Sequence, residues 1–476
     1  MNHTCILPGD VADPSILRVG TLYYLTCSSF CYSPGLLIYR STDRMRWDVV
    51  RSAVPQSFGD IWAPDLVRHQ DRYYIYFPSK GTNWVVWSDD PESDWSDPID
   101  LGIRDRIDPG HIVDAVTGTR HLFFNDGYAV TLSDDGLAVT GDPVKVHGAW
   151  PFPDEWDTEG ICLESPKLFY RAPYYYLTVA QGGTAGPATS HMAVSMRSRE
   201  LLSGWEMSPY NPVLHTWDVS EEWWSVGHAT LFDDEEGNPW LVYHGYRNGN
   251  RNMGRQVLLC RAEWTDDGWY RACDGENPVT PGSSSFFSDF VDDFSRPALD
   301  PAWSFYRTDL RPRLRAGGGI WLEGRGNRLA DGFRMLLNNR WEDCEIGAVL
   351  CVPDGAEGGL TFFYNEAAHI GICINDDGIC AVIRGFYMKI GERNDAEEIR
   401  LRLRKRDNVV AFYFSADGVD FAKAKTSFDV AGYEHNLFGG FLALRPGLYA
   451  AGDGAVLCRE AYYRKLPSGK GTHGRD

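Results

Sequence analysis

Apolar and polar positions alternate along most of the chain in short runs, each closed by Gly, Asp, Asn or Pro. Stretches with the 3.6-residue period of an amphipathic helix are nearly missing, which predicts an all-β protein. In the first part the pattern recurs. Five segments open alike: DPSILRVGTLYYL at Asp13, APDLVRHQDRYYIYF around Asp65, DPGHIVDAVTGTRHLFF at Asp108, ESPKLFYRAPYYYL at Glu164 and GHATLFDDEEGNPWLVYHG at His228. In each, a polar residue precedes a short apolar strand, a turn follows, and a second strand carries aromatic and β-branched residues. Repeats of roughly fifty residues with several strands apiece predict the blades of a five-bladed β-propeller over residues 1–272. SMRSRELLSGW is the longest helical candidate there, and it is short.

The rhythm then changes. CDGENPVTPGSSSFF is rich in Pro, Gly and Ser without periodicity, so 273–288 reads as a linker. Beyond it, CEIGAVLCV, GGLTFFYNEAAHIGICIND, ICAVIRGF, IRLRLRKRDNVVAFYFSADG and GGFLALRPGLYAAG alternate with period two. That pattern predicts an antiparallel β-sandwich of concanavalin A-like or jelly-roll type over 289–466, with a flexible tail at 467–476. IRLRLRKR has one charged and one apolar face, the former read as a solvated sheet face. RLADGFRMLLNNR is long, interrupts the strands, and is the candidate for a loop near a pocket.

A propeller gives the repeated acids a meaning. The innermost strand of each blade begins beside the central channel, so residues at one repeat position converge on one axis. Asp13, Asp108, Glu164 and His228 are expected to meet there. Proline suits the first position of such a strand, where no ladder donor is needed. Clustered like charges cost stability, so their recurrence marks a functional site rather than a folding device. Two carboxyls across a pocket can hydrolyse a glycosidic bond, one protonated to assist the leaving oxygen and one ionised to activate water; a third raises the pKa of the acid. The same acids would also serve a structural ion network or a calcium site.

Composition narrows the partners. Aromatic residues make up 13% of the 476, with 17 Trp and 24 Tyr, which fits either sugar stacking or filled strands. A net charge of −20 disfavours nucleic acid and anionic membranes and suits a neutral ligand such as an oligosaccharide. No stretch approaches a membrane span. MNHTCILPGD lacks a basic segment followed by an apolar core, and the 11 Cys include no CxxC pair. Cys5, Cys27, Cys31, Cys260, Cys344 and Cys351 sit mostly among apolar residues and read as buried thiols, so the expected compartment is the cytoplasm.

The pieces ADPSILRVGTLYYL, IWAPDLVRHQDRYYIYF, RIDPGHIVD, ESPKLFYRAPYYYLTVAQGGT, SVGHATLFDDEEGNPWLVYHGY and MGRQVLLCRAEWTDDGWYR, in this order, resemble glycoside hydrolase family 43. DDFSRPALDPAWSFYR resembles the opening of the sandwich attached to many β-xylosidases of that family. The resemblance implies an inverting, exo-acting β-xylosidase or α-L-arabinofuranosidase with Asp13 as general base, Asp108 as the acid that tunes pKa and orientation, and Glu164 as general acid. It implies that Arg255 contacts the sugar and that His228 lies near the pocket and helps hold a cation, calcium or another, with no organic cofactor. Glu159 in TEG imitates the family's acid motif but stands five residues too far from the strand YYYL, whereas Glu164 is followed by SPKLFY; Ser165 replaces the usual Gly. Asp65, deeper relative to its proline, reads as a structural or wall acid of the pocket, and Trp62 as a stacking face or a blade-packing residue. EEWW at Glu221–Trp224 is a further candidate for the rim, while His244 and Tyr246 read as blade packing. A different sugar such as galactan, a non-catalytic sugar-binding propeller, and assembly into a homo-oligomer stay open at this level.

Overall fold

The computed structural model describes residues 3–274, 286, 288–309, 314–316, 318–393 and 397–467. The linker expected at 273–288 and the tail expected at 467–476 fall largely outside them. The strands make five antiparallel blades and two larger sheets.

The first blade runs outward as Ser15–Val19, Leu22–Thr26, Gly35–Ser41 and Asp48–Val54. The second holds Asp65–His69, Arg72–Ser79, Thr82–Ser88 and Ile99–Arg104, and the third Gly110–Val113, Arg120–Phe124, Tyr128–Thr131 and Val144–Lys145. Glu164–Arg171, Tyr174–Gln181, Met192–Ser198 and Glu206–Met207 make the fourth. The helical candidate SMRSRELLSGW is thus the end of a strand followed by turns. Trp223–Asp233, Pro239–Arg247 and Arg255–Trp264 make the fifth blade, and Thr4–Leu7, from the start of the chain, pairs antiparallel on its outer side. The ring is therefore closed by strands from both ends of the propeller sequence.

The core is a series of wedges between neighbouring blades. Tyr24 and Ile38 meet Leu66, Ile75 and Phe77 between the first and second. Tyr74, Tyr76 and Val85 meet Leu122, Phe124 and Val130 between the second and third. Each such side chain, fully buried, contributes ~1.5–3 kcal/mol. Toward the axis the blades are too close for side chains everywhere. A Cβ at Gly110 would fall 1.7 Å from the Pro166 carbonyl oxygen, so only glycine lets the inner strands of blades three and four meet there.

The second unit contains the described residues from 286 onward, with Pro8–Asp10 and Gly249–Gly254. One of its sheets orders Leu314–Ala316, Ile320–Glu323, Ala455–Lys465, Cys344–Cys351, Ile399–Arg406, Val409–Ser415 and Ala422–Asp429. The other includes Phe386–Gly391, Gly378–Ile383, Ala368–Asn375, Ala356–Asn365, Arg445–Gly452, Phe333–Leu336 and Ser304–Tyr306. IRLRLRKR alternates as read, with Ile399, Leu401 and Leu403 buried, although Lys405 ends the apolar face and is buried too. RLADGFRMLLNNR is not simply a loop, since it supplies the strand Phe333–Leu336.

Candidate active site

Four of the five inner strands are entered through a non-glycine residue in the left-handed region: Asp13 (φ 59°), Asp108 (φ 56°), Ser165 (φ 55°) and His228 (φ 55°). That backbone costs roughly 1–2 kcal/mol per residue and persists where the surroundings enforce it, commonly at working sites. Pro14, Pro109 and Pro166 follow three of them. The structural equivalent of Asp13 in blade four is therefore Ser165, and Glu164 stands one residue earlier. A break in strand register between Glu164 and Lys167 takes up the difference.

Asp13 is buried and closely held. Ser28 Oγ donates to its Oδ2 at 2.5 Å, and Arg255 Nη1 donates to Oδ1 at 3.1 Å. His228 Nδ1 lies 3.3 Å and His244 Nδ1 3.1 Å from the same Oδ1. His244 Nδ1 also lies 3.1 Å from the Asp13 backbone nitrogen, so the imidazole touches both the backbone and the carboxylate of Asp13. Burial works against the Asp13 charge, but Arg255, His228 and His244 outweigh it and hold the carboxyl well below the usual range. Burial, opposed by Asp13, keeps His228 neutral.

The other two acids are pushed the opposite way. Burial and the Asp13 charge raise Asp108 to about 7, against the pull of Lys167, Arg255 and the Ser165 backbone N–H. Burial, then Asp108 and Asp13, raises Glu164 well above the carboxylate range. Glu164 is also the only one of the three that keeps some solvent access. The site thus holds one carboxyl pulled below its ordinary range and two pushed above it, and such opposed environments are what a hydrolytic acid–base pair needs.

Asp65 is enclosed by neighbouring strands. It is 6% exposed, and its oxygens are taken by Ser15 Oγ (3.3 Å), Lys167 Nζ (2.8 Å) and the His111 backbone N–H (2.7 Å). Two residues past the level of Asp13 along the repeat, it meets the neighbouring strands below the acids, with the contacts of a structural acid. Trp62 is 43% exposed and keeps an open aromatic face. Glu159 lies in the loop before blade four, where its Oε2 accepts the Ala185 N–H at 2.8 Å, and its charge contributes to the raised pKa of Glu164. In EEWW, Trp223 is buried in the fifth-blade core, while the Glu222 carboxylate pairs with Arg247. His244, read as blade packing, is buried and also touches Asp13.

Sequence reasoning also passed over Ser28, Lys167 and an aromatic block at blade four. There Trp156 stacks on His215 at 4.6 Å, and Trp217, 62% exposed, packs edge-on against both. Lys167 carried a signal, since a lysine at a channel position of an inner strand has no apolar reason to be there. Ser28 carried none.

A cation is implied by the resemblance. Asp13, His228 and His244 bring ligand-capable atoms within 4.8 Å of one another, but the Asp13 oxygens are already engaged by Arg255 and Ser28. What fits is the far side of His228. With Nδ1–H directed at Asp13, its Nε2 offers a buried lone pair with no hydrogen-bond partner, and both ring nitrogens of nearby buried His191 are likewise unpartnered. One imidazole and no free carboxylate suit an ion that keeps its water, not a dehydrated calcium cage.

The description "Glycosyl hydrolases family 43" matches residues 3–270, and "Beta xylosidase C-terminal Concanavalin A-like domain" matches 291–464. Among similar proteins are a xylosidase/arabinosidase of Butyrivibrio fibrisolvens, 26% identical over 96% of this chain and 98% of that one, and a non-reducing end alpha-L-arabinofuranosidase of Bacteroides ovatus, 26% identical over 94% and 91%. A xylan 1,3-beta-xylosidase of a Vibrio species is 25% identical over 87% and 89%. The solved structure of a GH43 protein from Bacillus licheniformis superposes with a TM-score of 0.85 at 24% identity, covering 98% of this chain and 100% of that one.

Proposed function

The chain belongs to glycosyl hydrolase family 43 and is a glycoside hydrolase, and on that premise we propose that it releases terminal xylose or arabinose from oligosaccharides with inversion at the anomeric carbon. The observation that carries the reading is the opposed environment of the three buried carboxyls. Asp13 is the base: it is ionised at any ordinary pH and takes a proton from the attacking water. Glu164, protonated and nearest solvent, gives its proton to the departing oxygen. Asp108 keeps the proton on Glu164 through its own charge and fixes the approach by accepting the Ser165 N–H.

The names carried by similar proteins, xylosidase and arabinofuranosidase, support a pentose in the pocket. Trp62 and the Trp156–His215–Trp217 block offer flat faces for sugar rings. His228 would hold a hydrated cation through Nε2, and that ion would supply positive charge behind the imidazole that contacts the base. The cytoplasmic reading rests on the cysteines, of which Cys260, Cys344, Cys373, Cys380 and Cys458 are buried within strands.

A panel of nitrophenyl glycosides tests the substrate class, and NMR of the first product formed tests the stereochemistry. Release of a sugar with the substrate's own anomeric configuration would overturn inversion. Activity confined to a galactoside would move the enzyme to another sugar while leaving the acids in place.

A further inference from the structure

Two places after the left-handed entries of four blades stand Ser15, Gly110, Lys167 and Thr230, and with Asp65 at the start of the second blade's inner strand they form a second ring below the acids. Alternate residues of a strand share a face, so this ring shares the channel with the one above it. Its charged members are Asp65 and Lys167, both buried and 2.8 Å apart. Lys167 Nζ also donates to the Pro64 carbonyl oxygen at 2.8 Å.

The contacts of Asp65 follow a pattern. Ser15, two residues after Asp13, donates to Oδ1; His111, three after Asp108, donates its backbone N–H to Oδ2; Lys167, three after Glu164, donates to Oδ1. Ser15 Oγ in turn accepts the Leu66 N–H at 2.9 Å, which ties the first blade back to the second. One carboxylate therefore touches the inner strands that carry all three acids, within about one strand repeat of each. Nothing comparable is needed for blade packing, which the apolar wedges farther out already provide. A buried ion pair is weak evidence for stability, because its desolvation offsets its attraction.

We propose that Asp65 is a positioning residue: it sets the spacing of Asp13, Asp108 and Glu164 through the strands below them, and it balances the charge of the Lys167 ammonium beneath Asp108. The proposal rests on the assignment of those acids. The groups facing Lys167 are Asp65, Asp108 and His228. Asp65 itself faces Lys167, Ser15, the His111 backbone and Tyr76.

Three variants separate spacing from charge, assayed on whichever aryl glycoside the wild type cleaves. Asp65→Glu keeps the charge and adds a methylene, so kcat should fall about a hundredfold, KM and the basic limb of the pH profile staying put. Asp65→Asn leaves Lys167 uncompensated, so the basic limb should move about one pH unit lower. Asp65→Asn combined with Lys167→Met removes both charges and should return the limb toward wild type while kcat stays low. Ser15→Ala loses a single tie and serves if the others fold poorly; a threefold or greater fall in kcat is expected. Wild-type kcat in Asp65→Glu and Ser15→Ala, with only the melting temperature lowered, would overturn the proposal. A wild type inactive on the whole panel would instead overturn the earlier reading of the acids.

Discussion

Asp108→Asn should stabilise the protein, and the gain should grow with pH. The native carboxyl sits at about 7 because burial and the Asp13 charge disfavour its ionisation, whereas in the unfolded chain it titrates near 3.8. The folded state thus binds the extra proton between those values. Its advantage is complete below about pH 4 and is lost as pH rises through 7. Three pKa units at ~1.4 kcal/mol each make that loss on the order of 4 kcal/mol, an upper figure for one fully buried group. Asparagine has the same shape and never ionises. The difference in melting temperature between variant and wild type should therefore be small at pH 4 and reach several degrees by pH 8, at ~2–4 °C per kcal/mol. Differential scanning calorimetry across that range measures it, without substrate. Turnover should fall in the same variant, so stability and activity move in opposite directions. A difference independent of pH would refute the electrostatic account of the site.

Glu164→Gln should cripple hydrolysis of a xylo-oligosaccharide by at least a hundredfold while sparing a dinitrophenyl glycoside, whose leaving group departs without a proton; Glu159→Gln should show no such dependence. The reverse result would move the acid five residues. Gly110→Ala should destabilise by more than 3 kcal/mol in denaturant titration, because its Cβ meets the Pro166 carbonyl; a change under 1 kcal/mol would show that blades three and four can part there. Removing divalent ions with a chelator should lower the melting temperature, and His228→Ala should abolish that sensitivity; unchanged melting in the wild type counts against a cation. Trp217→Ala should raise KM for oligosaccharides several-fold and leave aryl monoglycosides unaffected, in keeping with its open face.

Asp13 and Asp108 were legible because each is an acid before a proline at the mouth of a repeated strand. The blade count was legible for the same reason. Asp65 appeared in that repeat, but its place two positions beyond the acids did not say what it would touch; its partners Ser15 and Lys167 lie 50 and 102 residues away. Ring closure by Thr4–Leu7 escaped notice because a four-residue strand at a terminus has no period to read, and its partner strand begins near residue 255. His244 hid its contact with Asp13 because YHGY alternates like any core strand. Its packing position happens to abut the Asp13 backbone, a contact that only the closed ring creates.

Charge balance in the channel accounts for the opposed shifts of the three acids. Asp13 and Asp65 are each matched by a buried cation within hydrogen-bond reach, Arg255 at 3.1 Å and Lys167 at 2.8 Å. Neither Asp108 nor Glu164 has a guanidinium or ammonium of its own among the described ion pairs, so ionising either adds an unmatched charge to a buried site. That addition costs several kcal/mol in low dielectric, more than a proton costs to keep at neutral pH. Asp108 yields first, being nearer the field of Lys167 and Arg255 and holding the Ser165 N–H; once charged, it makes the loss from Glu164 harder still. On the proposed assignment, the fold would store the catalytic proton by giving neither acid a cation of its own, with the more exposed of them, Glu164, as the donor.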